Sequence, residues 1–121
     1  MKTTLENKVL LITGANRGIG RALVEVALRH NPKKIYATAR KVSDLPDFGD
    51  SRVVPVTLDI TDAAQVQTVA NMAGDVQILI NNAGALAFGS VLGDNVASLE
   101  SDMRVNYFGT LNVARAFAPI L

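Results

Sequence analysis

Three glycines at fixed spacing, in Thr13-Gly14-Ala15-Asn16-Arg17-Gly18-Ile19-Gly20, are the residues of this sequence best suited to holding a phosphate. An apolar run, Val9-Leu10-Leu11-Ile12, precedes them, and a helical pattern beginning near Ile19 follows. A strand, a glycine turn and a helix start in that order make an anion cradle. Glycine permits the tight turn and a close backbone approach, while the helix N-terminus offers free N–H groups and the positive end of its dipole. The spacing Gly-x-x-x-Gly-x-Gly differs from the general dinucleotide pattern Gly-x-Gly-x-x-Gly. The same mechanics still carry over, and a pyrophosphate would lie along Gly14, Asn16, Arg17, Gly18, Ile19 and Gly20. Three glycines alone say little; their place between a buried strand pattern and an amphipathic helix gives them weight.

The elements that must position this loop follow from periodicity. Lys8–Thr13 contains four consecutive aliphatics without alternation, the pattern of a central parallel strand covered on both faces. Gly18 to His30 reads as a helix with Ile19, Leu23, Val26, Ala27 and Leu28 on its apolar face, stopped by Asn31-Pro32. Lys33–Ala39 is a second strand. Lys41–Asp50, with Pro46 and Gly49, is a loop holding at most a short helix. Arg52–Leu58 is a third strand, and Pro55 argues for an edge position. Asp62 or Thr61 caps a helix running to about Ala73, with Gln65 placed for a capping box on Asp62. Val76–Ile80 is a fourth strand, ending in Asn81-Asn82-Ala83-Gly84; a loop, Ala85–Gly93, then leads to helical sequence from about Asn95 onward. Alternating strands and helices indicate an α/β sheet with parallel strands and right-handed crossovers. Met72, Met103, Phe108 and Phe117 are expected to pack in the core or between helices, and His30 to sit at the surface.

Composition excludes several functions. The 121 residues are 49% apolar and 19% charged, enough for one globular domain with a core. Twelve basic and eleven acidic residues are intermixed, so there is no footprint for nucleic acid or an anionic membrane, and any phosphate recognition is local. The absence of cysteine and the single histidine leave no thiolate nucleophile, no disulfide and no His-based metal site. No apolar run approaches the roughly 20 residues of a membrane helix, and the expected setting is reducing and cytoplasmic.

Thr13-Gly14-x-x-x-Gly18-Ile19-Gly20, Asp59-Ile60-Thr61, Asn81-Asn82-Ala83-Gly84 and Val105-Asn106, in this order, resemble the N-terminal half of a short-chain dehydrogenase/reductase. The resemblance covers nearly the whole chain. It implies a Rossmann-type doubly wound sheet with strand order 3-2-1-4, and a nicotinamide dinucleotide over the carboxyl ends of strands one and four. It also implies roles for particular residues. Asp59 and the backbone at Ile60 would recognise the adenine edge, although Asp59 could instead help cap the following helix. Asn82, Ala83 and Gly84 would line the ribose and nicotinamide, with Asn81 and Asn82 tying neighbouring loops together. Asn106 would distort its helix and hold a water in the proton relay; taken alone it could be a simple helix kink.

Charge bears on which dinucleotide is held. An NAD site places Asp or Glu at the end of the second strand, about twenty residues past the last glycine. Here that position falls at Ala39 and is followed by Arg40. A carboxylate would repel a 2′-phosphate, whereas a guanidinium binds one with two charge-assisted hydrogen bonds. Arg17 could reach the same phosphate. The expectation is NADP(H) rather than NAD(H), although Arg17 and Arg40 considered alone also fit ordinary solvated surface positions.

The same resemblance calls for a substrate-positioning Ser followed by a Tyr-x-x-x-Lys, and that combination is not present: Tyr36 is followed four residues on by Arg40, and Tyr107 by Leu111. The sequence therefore reads as the cofactor-binding part, residues 1–121, of an NADP(H)-dependent oxidoreductase acting on a small carbonyl or alcohol, cut before its acid/base residues. A non-catalytic dinucleotide-binding fragment and an assembly module are the alternatives. Strand four would then be an open apolar edge, and the last helix, with Leu99, Met103, Leu111, Val113, Ala114, Phe117 and Ala118, carries more apolar surface than half a sheet needs. The implied state is a homo-oligomer.

Overall fold

The computed structural model describes residues 4–86, 92–93 and 96–121. Four strands, β1 (Val9–Ile12), β2 (Lys34–Ala39), β3 (Val53–Thr57) and β4 (Ile78–Ile80), pair in parallel in the order β3-β2-β1-β4. Parallel neighbours require crossovers, supplied by α1 (Gly18–Leu28), α2 (Ala63–Met72) and, between β2 and β3, a segment with a 3-10 turn at Val42–Asp44. The expected Rossmann-type sheet and its strand order are what the chain adopts. The start of the last helical segment near Asn95, and most of the loop before it, lie outside the described residues.

Alternation along the strands divides the core between the two faces. Leu10, Ile12, Ile35 and Ala37 pack with Val24 and Ala27 of α1. On the other face Val9, Leu11, Tyr36 and Val56 pack with Val66, Val69 and Ala70 of α2. Val113 and Phe117 of α4 (Thr110–Phe117) complete that face. Every residue of β1 is buried, as expected for a strand covered on both sides. β3 is an outer strand: the Arg52 carbonyl accepts from Ile35 and the Leu58 N–H donates to Ala39. By alternation Pro55, between them, turns its nitrogen outward, so its missing N–H leaves no gap in the ladder.

Several local expectations are corrected. On α1 the buried stripe is Gly20, Val24 and Ala27, whereas Ile19 is 73% and Val26 45% exposed. Ile19 lies in the first turn, beside the glycine loop and beyond the cover of the sheet. Asp62 caps α2 by accepting from the Gln65 N–H at 3.0 Å, but the reciprocal half of the capping box is redirected, and the Gln65 side chain accepts from the Asp59 N–H instead. Of the four large residues expected to be packed, only Phe117 is; Met72, Met103 and Phe108 are exposed. The last helix is not regular. α3 (Val96–Met103) passes into a π-turn, Arg104–Gly109, before α4. No helix among the described residues is long and apolar enough to cross a membrane.

Tyr36 sends its hydroxyl to the amino end of the sheet, where it donates to Asp75 at 2.8 Å and accepts from Lys34 at 3.0 Å. At the same end Arg52 donates to Asp50 at 2.7 Å and to the Leu28 carbonyl at 3.1 Å, joining the start of β3 to the last turn of α1. Arg52 hydrogen bonds hold the Asp50 carboxyl down from 3.8 to about 2. A carboxyl depressed in the folded state stabilises above its unfolded value and loses that contribution as pH falls through the folded one. Acid unfolding between about pH 4 and pH 2 should therefore be shallower for Asp50→Asn than for the natural chain, measured by circular dichroism. Identical acid limbs would refute the coupling.

Candidate dinucleotide site

The glycine loop joins the carboxyl end of β1 to α1, and each of its turns has a local cause. Gly14 and Gly18 hold φ of +64° and +56°, a region costly for residues with a Cβ. A Cβ on Gly14 would come within 2.9 Å of the Ala83 Cα, and one on Gly20 within 1.9 Å of the Gly14 carbonyl oxygen. The Ala15 N–H is pinned to the Thr38 carbonyl of β2 at 2.9 Å. At the start of α1, Arg17 is extended and offers no side-chain cap, and no acidic residue occupies the first turn. The first N–H groups of α1 thus keep their affinity for an anion.

Across the β1–β4 junction the loop is bolted to Asn81-Asn82-Ala83-Gly84. The buried Thr13 hydroxyl accepts from the N–H groups of Asn82 and Ala83, both at 2.9 Å. The Asn82 side chain donates back to the Thr13 and Gly14 carbonyls at 3.2 and 3.3 Å, and Asn81 donates to the Thr110 carbonyl at 3.0 Å. Sequence reading anticipated that Asn81 and Asn82 tie loops together. It did not single out Thr13, the hub of that junction, whose position two residues beyond Leu11 on the same face of β1 was the available signal.

Asn106 sits inside the π-turn. Its side chain accepts from the Ala85 N–H at 2.8 Å and donates to the Ala85 carbonyl at 2.6 Å, and its Oδ1 would lie 3.1 Å from a Cβ on Gly84. A π-turn at this asparagine is the distortion that the family resemblance implied. Its side-chain amide thus ties the helix to the segment after β4 through one donor and one acceptor.

At the end of β3, Asp59 Oδ1 accepts from the Thr61 N–H at 3.0 Å and the Thr61 hydroxyl at 2.7 Å. The Ile60 carbonyl accepts from Asn112 at 3.0 Å. Arg17 and Arg40 are exposed, and neither forms an ion pair with a described residue. Gly14, Arg40, Asp59, Ile60, Asn82, Ala83 and Gly84 thus follow the carboxyl ends of the strands, with Asn16 and Arg17 in the loop, Gly18, Ile19 and Gly20 in the first turn of α1, and Asn106 in the π-turn. Glycines at positive φ and at close backbone approach, an uncapped helix start and two cations without an ion-pair partner among the described residues fit a dinucleotide phosphate chain. A surface depression lies elsewhere, lined by Leu99, Glu100, Met103, Arg104 and Phe108 of α3 and the π-turn.

The chain belongs to the short chain dehydrogenase family, whose pattern it matches over residues 8–121. It is 37% identical over 122 residues to the oxidoreductase BOA17 of Botryotinia fuckeliana, a match covering 94% of this chain and 44% of that protein. Among solved structures, a short chain dehydrogenase from Burkholderia cenocepacia in complex with NADP superposes with a TM-score of 0.94 at 44% identity, covering 98% of this chain and 50% of the other. A relative from Burkholderia phymatum in complex with NAD gives 0.89 at 30% identity, covering 99% and 46%. The chain spans about half the length of the relatives it matches.

Proposed function

We propose that these residues form the cofactor-holding part of an NADP(H)-dependent oxidoreductase that moves hydride between the nicotinamide and a small carbonyl or secondary alcohol. The observation that carries the cofactor choice is Arg40. It follows directly on Ala39, the last residue of β2, where an NAD site would need a carboxylate, and it is exposed and without an ion-pair partner among the described residues. Arg17, at the start of α1, supplies a second cation. The relative crystallised with NADP supports this choice, and the one crystallised with NAD is the reason it needs a direct test.

In this reading the proton donor comes from elsewhere in a longer protein. Tyr36 is engaged with Asp75 and Lys34 at the opposite end of the sheet, and Tyr107 is exposed against Phe108. A relay would pass by Asn106, whose side chain is oriented by its two hydrogen bonds to Ala85. The exposed apolar residues of the last helical segment, Met103, Phe108 and Leu111, suit association with another subunit. Calorimetric titration with NADPH and NADH tests the cofactor choice. NADPH should bind about tenfold or more tightly than NADH, and Arg40→Ala should erase most of that margin, as expected for lost charge-assisted hydrogen bonds. Tighter NADH binding would overturn it.

A further inference from the structure

The segment Asp59-Ile60-Thr61 is held from three directions. The Gln65 side chain accepts the Asp59 N–H, Asp59 Oδ1 accepts both Thr61 donors, and Asn112 of α4 donates to the Ile60 carbonyl at 3.0 Å. The first two contacts are local, six and two residues apart; the third spans 52 residues and is made by a different element. Gly109 acts with it. It is buried in the last position of the π-turn, and a Cβ there would stand 2.7 Å from Ile60 Cγ1 and 2.8 Å from Cδ1. Glycine in a helix costs about 1 kcal/mol relative to alanine, so its presence here has a packing reason: it lets the helix close onto the Ile60 side chain. The Ile60–Thr61 peptide is thus fixed at its carbonyl by Asn112, at its N–H by Asp59, and through the preceding side chain by the Gly109 gap.

We propose that Asn112 and Gly109 are positioning residues for adenine recognition, setting the Asp59–Ile60 edge from the helix that also carries Asn106. This rests on reading Asp59 and Ile60 as the adenine-facing edge of the site. The helix then braces the site at three points: Asn106 on Ala85, the Thr110 carbonyl under Asn81, and Asn112 on Ile60. The first two steady the segment after β4, and only the third steadies the adenine end. Loss of Asn112 should therefore weaken ligands in proportion to the adenosine they carry.

The experiment measures binding of NADPH and of adenosine 2′,5′-bisphosphate to the natural chain, Asn112→Leu, Asn112→Gln and Gly109→Ala. Loss of one positioning hydrogen bond is expected to weaken both ligands by the same factor in Asn112→Leu, about three- to tenfold, and Asn112→Gln, which keeps an amide donor, should recover much of the loss. Gly109→Ala should weaken both ligands similarly by displacing Ile60. Thermal melts distinguish positioning from general loosening: the affinity loss should persist at temperatures where the variant is fully folded. If the natural chain binds adenosine 2′,5′-bisphosphate and Asn112→Leu and Gly109→Ala bind it equally well, the positioning role is wrong while the site reading stands. If the natural chain binds neither ligand, the site reading fails and the positioning role with it.

Discussion

Gly20→Ala should destabilise the chain by about 3 kcal/mol and remove measurable dinucleotide binding. The added methyl would stand 1.9 Å from the Gly14 carbonyl oxygen and 2.6 Å from Asn82 Nδ2. Neither neighbour has room to retreat. Gly14 is backed by Ala83, 2.9 Å from where its own Cβ would be, and Asn82 is held by hydrogen bonds to the Thr13 and Gly14 carbonyls. Relief must come from moving the start of α1 away from the β1–β4 junction, which opens the loop that would hold the phosphates. Gly74→Ala is the control, because nothing lies within 4 Å of its added Cβ. Urea denaturation followed by far-ultraviolet circular dichroism compares the two. Equal midpoints for Gly20→Ala and Gly74→Ala would show that the loop is softer than its contacts imply.

Thr13→Val should cost about 2–6 kcal/mol, although it changes shape little. The lost hydroxyl is the shared acceptor for the Asn82 and Ala83 N–H groups, and Thr13 itself is fully buried. Each N–H left without a partner carries a desolvation penalty of about 1–3 kcal/mol. Thr13→Ser keeps the oxygen and should recover most of the stability, giving up only a buried methyl. The same denaturation series decides the matter, and a Thr13→Val chain as stable as Thr13→Ser would mean that the junction is held by Asn82 alone.

How much of this was legible in the sequence depended on range. β1, α1 and the glycine turn were readable because an unbroken aliphatic run followed by spaced glycines and a helical pattern has few other physical readings. Pro55 announced an outer strand for the same local reason. The buried stripe of α1 was misjudged by one position, since Ile19 and Val24 are equally apolar and only the edge of the sheet decides between them. Thr13 looked like the last residue of a strand; its role depends on Asn82 and Ala83, 69 and 70 residues away. Asn112 carried no signal, because an asparagine on a half-buried helix face has no local requirement for the Ile60 carbonyl. Gly109 was not read from the sequence, although a glycine inside a helical pattern is a sign of close approach, here to Ile60.

The π-turn has a consequence for phase. Each residue of an α-helix advances about 100° around its axis, so a turn that takes in an additional residue rotates everything after it by about that amount. The stripe that begins at Leu99 and Met103 does not continue into Val113 and Phe117, because the two lie on opposite sides of this rotation. The outward stripe can therefore change in composition without disturbing the inward one. A single chain segment carries two stripes on different sides, one exposed and one packed into the core.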